Sequence, residues 1–159
     1  MELRYHIPLT AEEQLGHGLP HPFPLAIADR VRFSELDTQS HVNNKSYMEW
    51  FERARVEHLN RVFHPFYGDA PRPRVALHSA TIRYVKEMLA GEDYIVTARV
   101  AAFRTNSYTL EQQIWSGDLR ATLMVIAVLQ RPGDPASRYP LPAALCDHLI
   151  RVEGAQREG

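Results

Sequence analysis

The sequence predicts an α+β chain in which an antiparallel sheet of about five strands wraps around one long helix. Three observations carry this. A short alternating stretch, Leu25 to Phe33, is followed by a long helical stretch whose apolar residues cover a broad arc. From Arg74 onward, period-two runs alternate with turn signals and no second long helical pattern intervenes. Strand, long helix and four strands in meander-like succession leave one face of the sheet to be buried by the helix.

In chain order, residues 1–24 are expected to form an N-terminal extension. Thr10-Ala11-Glu12-Glu13 matches a capping box, so a short helix is expected over Thr10 to Leu15, stopped by Gly16 and Gly18. Gly18 to Pro24 then reads as a proline-stiffened connector. His6, His17 and His21 lack the helical register and the partnering acid or thiolate of a metal site, and are expected as loop histidines. The first strand places Ile27, Asp29, Val31 and Phe33 on one face. The long helix is expected over Asn44 to Phe63, with Tyr47, Trp50, Phe51, Ala54, Leu59, Val62 and Phe63 as its apolar arc and Glu49, Glu52, Arg53, Arg55 and Glu57 as its polar members. Pro65 ends it, and Tyr67 to Pro73 is a loop by composition.

Strands follow over Val75–Val85, Tyr94–Phe103, Ser107–Trp115 and Arg120–Gln130. Ser116-Gly117-Asp118 gives a strong hairpin signal between the last two. Pro142 to Ile150 reads as a short closing helix with Pro142 in its first turn, and residues 151–159 as a frayed tail. The main domain is thus expected over residues 25–150.

The 159 residues suit one domain, and 45% apolar with 23% charged residues is a globular composition. A formal charge of −1 gives no support for nucleic-acid binding, and no run approaches the roughly 18 apolar residues of a membrane span. The N-terminus shows no secretory signal pattern, and the single Cys146 allows no internal disulfide, which fits an expected cytoplasmic setting. Cys146 itself reads as a small buried hydrophobe. G-x-S-x-G, phosphate-binding glycine loops, zinc patterns and dinucleotide fingerprints are all absent.

The chemistry concentrates between the first strand and the long helix. Asp37 and His41 lie four residues apart in a polar loop, and Asn43-Asn44 follows where a helix N-cap is expected. Attack on a carbonyl needs a base or nucleophile together with N–H donors facing the oxygen that gains charge, and a helix N-terminus supplies such donors. For Asp37 the alternative to a catalytic role is a carboxylate that caps its own turn. For His41 it is a turn-holding imidazole, for Asn43 and Asn44 an N-cap, and for Glu52 an ion pair with Arg55 one turn away.

Asp37-Thr38-Gln39-Ser40-His41-Val42-Asn43-Asn44, followed by Tyr47, Trp50-Phe51-Glu52 and Arg55, resembles the signature of hot-dog-fold acyl thioesterases: the 4-hydroxybenzoyl-CoA thioesterase-like hydrolases and, more distantly, the plant acyl-ACP thioesterases. Many members have Gly where this chain has Ser40, which bears on the geometry of the loop. The resemblance covers roughly residues 25–149. It implies a hot-dog fold, at least a homodimer (or homotetramer), and hydrolysis of an acyl-CoA or acyl-ACP thioester without a metal or organic cofactor. Asp37, His41 and Asn43 would be the catalytic residues, with Asp37 as general base or nucleophile. Val42, Asn44, Tyr47, Arg83, Lys86, Arg104 and Ser107 would bind substrate, the cationic side chains meeting the phosphates of CoA. Two other readings stay open: a hot-dog enoyl-thioester hydratase or dehydratase using Asp37 and His41, and a non-catalytic acyl-CoA-sensing domain.

Overall fold

A computed structural model describes residues 1–159. Its elements are α1 (Ala11–Gly16), β1 (Leu25–Arg30), α2 (Asn44–His58), β2 (Arg74–Tyr84), β3 (Asp93–Phe103), β4 (Ser107–Ser116), β5 (Asp118–Gln130), α3 (Ala143–Glu153) and β6 (Gln156–Arg157). The strands lie in the order β1-β3-β4-β5-β2 with every neighbouring pair antiparallel, and β6 adds to β3 in parallel. The sheet curls around α2, which is the α+β arrangement the sequence predicts.

The packing follows from the two periods. Tyr47, Trp50, Phe51 and Ala54 recur at helical spacing and are buried, meeting the inward positions of the strands in one cluster of 29 buried residues. On β4 the alternation is strict: Tyr108, Leu110, Gln112 and Ile114 point inward between half-buried neighbours. Gln112, fully buried, donates from Nε2 to the carbonyl of Phe51 at 2.9 Å. A sheet side chain thus satisfies the middle of the helix, and this fixes α2 along β4. The α-helical hydrogen bonding stops at His58 and the chain continues as a π-helical turn, Leu59–Phe63, so the expected helix to Phe63 is present with its last stretch widened.

Four expectations need correction. β1 ends at Arg30, and the chain turns into a short 3₁₀ segment at Phe33–Glu35, so Phe33 does not share a buried face with Ile27 and is 92% exposed. Residues 1–24 do not stand apart from the sheet. Leu9, Leu19 and Phe23 form a second buried cluster with Ala26, Ala28 and Ile95, covering part of the face that α2 leaves open. The tail is not frayed either. Gly154 takes the left-handed conformation that ends α3, after which Gln156 and Arg157 pair with Ala102 and Phe103. Finally, Glu52 and Arg55 form no ion pair; the Arg55 Nη1–H reaches Gln112 Oε1 at 3.3 Å instead. The capping box at Thr10 is formed, with Thr10 accepting from the Glu13 amide and Glu13 accepting from the Thr10 amide.

Candidate active site

The loop between β1 and α2 is held from beneath by Glu35. This buried carboxylate accepts the Trp50 indole N–H at 2.6 Å through Oε2 and the Arg32 amide at 2.8 Å through Oε1, while its carbonyl accepts the Asn43 amide at 2.9 Å. One residue thereby ties the start of the loop, its end and the body of α2 together. Above it the chain makes a tight turn in which the Asp37 amide donates to the His41 carbonyl at 2.7 Å and the Ser40 amide to the Asp37 carbonyl at 3.1 Å. Closing this turn places Ser40 at φ 64°, in the left-handed region that an L-residue enters at a cost of about 1–2 kcal/mol. That is the physical reason for a glycine at this place in the family signature. Ser40→Gly should therefore be at least as stable as the parent, whereas Ser40→Val should lose about 1 kcal/mol in chemical denaturation, because a β-branched residue tolerates positive φ less well than serine.

Asp37 is exposed. Its Oδ1 accepts the amides of Gln39 (2.8 Å) and His41 (3.0 Å), so the turn-capping role is real. Its Oδ2 accepts no hydrogen bond from the chain. The turn-capping role thus falls to Oδ1 and leaves Oδ2 unengaged. The His41 ring does not face that carboxylate: its Nε2 lies 3.2 Å from Glu87 Oε2, on the segment that follows β2. Asn43 is the N-cap of α2, its Oδ1 accepting both the amide and the hydroxyl of Ser46 at 3.0 Å.

The donors available at the helix start are fewer than the sequence suggests. The His41 amide goes to Asp37, the Val42 amide to the Met88 carbonyl at 2.9 Å, the Asn43 amide to Glu35, and the Ser46 amide to Asn43. Only the amides of Asn44 and Lys45, in the first turn of α2, have no acceptor within the chain.

Of the other expected binding residues, Tyr47 is buried beneath this turn with its ring edge against Tyr84 at 5.1 Å, and burial pushes its hydroxyl pKa up. Arg83 and Lys86 lie at the same end of the sheet as the loop, Arg83 exposed and Lys86 paired with Asp118 at 2.9 Å. Arg104 and Ser107 do not join them. They form the β3–β4 turn, where the Arg104 amide donates to the Ser107 carbonyl at 2.8 Å. The 11 residues of β3 separate that turn from the Asp37 end, a run of roughly 35 Å. Within one chain these two residues are remote from Asp37. No group of three or more His, Cys, Asp or Glu side chains converges as a metal ion would require.

Two residues without an expected role support the site. Glu35 is one; its contact with Trp50 spans 15 positions and has no local sequence signal. Arg120 is the other. Its guanidinium binds Glu92 at 2.8 and 3.0 Å, Asp118 at 2.6 Å and the carbonyls of Glu87 and Ser116 at 2.9 Å. It thereby fixes the segment carrying Met88, which in turn holds Val42. Hydrogen bonds from Lys86 and Arg120 hold the Asp118 carboxyl at about 2, and Glu92 sits below its ordinary value because Arg120 outweighs the effect of burial. Both folded-state values are depressed, so their contribution is complete above the unfolded carboxylate range of about 4 and is lost as pH falls toward 2. Arg120→Met should lower stability at pH 7 and flatten its decline between pH 4 and pH 2, as read by urea denaturation at each pH.

Residues 31–147 match the family model described as "Thioesterase-like superfamily". A solved thioesterase-superfamily structure from Jannaschia sp. CCS1 is 37% identical, superposes with a TM-score of 0.85, and covers 96% of this chain and 97% of its own. A Thermus thermophilus thioesterase solved with coenzyme A and Zn has the same fold at 23% identity and TM-score 0.68, covering 80% of this chain and 98% of its own. Protein THEM6 of Danio rerio is 28% identical over 104 residues, which are 65% of this chain but only 46% of the length of that relative. With its helix wrapped by an antiparallel sheet, the chain belongs to the hot-dog-fold thioesterase-like superfamily.

Proposed function

We propose that this protein hydrolyses acyl-CoA thioesters, with acyl-ACP as the related alternative, to a carboxylic acid and the free thiol. The observation that carries the reading is the pairing of an unengaged Asp37 Oδ2 with two acceptor-free amides, those of Asn44 and Lys45, across one short loop. A thioester carbonyl oxygen placed against those amides would have its developing charge stabilised by N–H donors and the positive end of the α2 dipole. Asp37 Oδ2 then either attacks the carbonyl carbon, giving a mixed anhydride that water cleaves, or takes a proton from the water that attacks. Either route breaks the C–S bond and adds one water, the thiolate leaving with a proton. Asn43 acts by fixing the helix start, and His41 by closing the turn through its backbone.

Substrate reaches this loop from the β2 side, where Arg83 and Lys86 offer cations to phosphate. β2 is also the sheet edge with no neighbour, and it exposes Leu77 and Tyr84 with Val85 just beyond. An uncovered edge of this kind suits pairing with a second copy, and we assign the homodimer to it. The resemblance to the family and the likeness to the Jannaschia structure support the reaction class.

A hydratase would need an acid and an imidazole facing the same carbon. The His41 ring instead meets Glu87, away from the Asp37 carboxylate. A thiol-release assay across short, long and aryl-CoA thioesters, run beside an enoyl-CoA hydration assay, tests the proposal. Free CoA without hydration is expected; hydration without thiol release would reverse the assignment, and tight binding without turnover would favour a sensing domain.

A further inference from the structure

The inward face of β2 is left uncovered. Leu77, Ala80, Ile82 and Tyr84 stand opposite Ala127, Val125, Leu123 and Ala121 of β5, so they point to the side of the sheet that α2 occupies. Those four β5 residues are at most 1% exposed, whereas Leu77 and Tyr84 are 48% and 47% exposed. The difference follows from where the helix sits. Arg53 reaches Asp29 on β1 at 3.3 Å, which turns one flank of α2 toward that edge of the sheet. Met48, Phe51, Arg55 and Leu59 recur at helical spacing on the opposite flank and face the open strip. An apolar groove thus runs along α2 from its first turn, where Tyr84 meets Tyr47, between the helix and β2.

Along this groove stands a cation without a counter-ion. The Arg55 guanidinium is half-buried, and its one hydrogen bond is to Gln112 Oε1 at 3.3 Å, although it carries five N–H donors. Burial lowers its pKa; Glu52, exposed one turn away, and Tyr108 act the other way without pairing with it. The buried carboxylate that shares Tyr108 as a neighbour, Glu153, is already held by His58 and the Val100 amide. Charges withdrawn from water are ordinarily paired, so this one has room for an anion. Gln112 also binds the Phe51 carbonyl, which fixes the guanidinium beside the middle of the helix. Arg55 lies eleven residues beyond Asn44, roughly 16 Å along the axis, and its side chain leans back toward the helix start.

We propose that the groove selects acyl-CoA thioesters whose acyl chain ends in a second carboxylate, with about ten carbons from one carboxyl carbon to the other. The methylenes lie on Leu77, Ile82 and Tyr84, and the distal carboxylate takes the free N–H groups of Arg55 in a charge-assisted pair. The assignment rests on the thioesterase reading, which places the thioester carbonyl at the Asn44 and Lys45 amides. A chain of equal length ending in methyl leaves the guanidinium unpaired, and a much shorter dicarboxylate does not reach it.

The test compares thiol release from adipoyl-, suberyl-, sebacyl- and dodecanedioyl-CoA with release from the monocarboxylic thioesters of the same lengths. Sebacyl-CoA should exceed decanoyl-CoA in kcat/KM by about tenfold, and adipoyl-CoA should have no advantage over hexanoyl-CoA. Arg55→Met should bring the sebacyl-to-decanoyl ratio to near one, and Arg55→Lys should restore part of it; a merely structural role would lower both substrates alike. Two CoA thioethers with ten-carbon chains, one ending in carboxylate and one in methyl, read the groove without the reaction when titrated by calorimetry. Tighter binding of the carboxylate thioether with no thioester hydrolysed would overturn the reaction and uphold the groove. Equal hydrolysis of the two series with equal binding of the two thioethers would overturn the groove and leave the reaction standing. A ratio that Arg55→Met leaves unmoved, or a change of oligomeric state in its place, would also overturn the role given to Arg55.

Discussion

Asp37→Asn should reduce thioester hydrolysis by about a thousandfold, within the range expected when a positioned acid–base group is lost. The substitution is informative because the proposed mechanism gives the two carboxylate oxygens different duties. Asparagine keeps an oxygen that can accept the Gln39 and His41 amides, so the turn, the Glu35 anchor and the start of α2 should persist. The position of Oδ2 is taken by an NH₂ group, which can neither attack a carbonyl nor remove a proton from water. A steady-state assay of CoA release, with the melting temperature as a control for folding, separates the two duties. Asp37→Ala should lose activity to the same degree but also loosen the turn, because both amides then lack their acceptor.

The largest stability effect is expected far from this chemistry. His58, at the end of α2, has its Nε2 at 3.0 and 3.1 Å from the two carboxylate oxygens of Glu153, at the end of α3, with side-chain exposures of 1% and 0%. Glu153 Oε1 also accepts the Val100 amide at 2.7 Å, and its backbone carbonyl accepts the Arg99 guanidinium at 3.0 Å. The C-terminal helix, the central helix and β3 therefore meet at one buried carboxylate. Glu153→Ala leaves the imidazole and the Val100 amide buried without partners, and should cost about 3–5 kcal/mol in urea denaturation. Against a total of about 5–15 kcal/mol this threatens the fold itself. Replacing both members, His58→Leu with Glu153→Leu, should cost less than Glu153→Ala alone, because the imidazole is then no longer buried without its partner. A double variant worse than the single would contradict this account of the pair.

Much of the architecture can be read from local pattern. The alternation on β4, the Ser116-Gly117-Asp118 hairpin and the apolar arc from Tyr47 to Ala54 each express a period that only one element type satisfies. The Thr10 capping box and the Asn43 N-cap are legible for the same reason: donor and acceptor lie within a few residues of each other. What escaped reading is non-local. Phe33 continues the alternation of β1 on paper, but Glu35 draws the chain into a turn toward Trp50, which no spacing reveals. The tail looks polar and short, yet it finds the unpaired part of the β3 edge beyond the end of β1. In the site itself, Asp37 and the helix start were legible as types in order. Which amides remain free was not, because that depends on Met88 and Glu35 taking the amides of Val42 and Asn43. Arg104 and Ser107 fail as partners of Asp37 within one chain for a topological reason: the length of β3 lies between them.

The arrangement at residue 37 is best tested by a crystal structure with a ketone analogue of an acyl-CoA, in which CH₂ interrupts the bond that would be cleaved. The ketone oxygen should lie within hydrogen-bonding distance of the Asn44 or Lys45 amide, and the carbonyl carbon about 3–3.5 Å from Asp37 Oδ2 or from a water that Oδ2 holds. An analogue bound with its carbonyl turned away from the first turn of α2, and with no path to Oδ2, would contradict it.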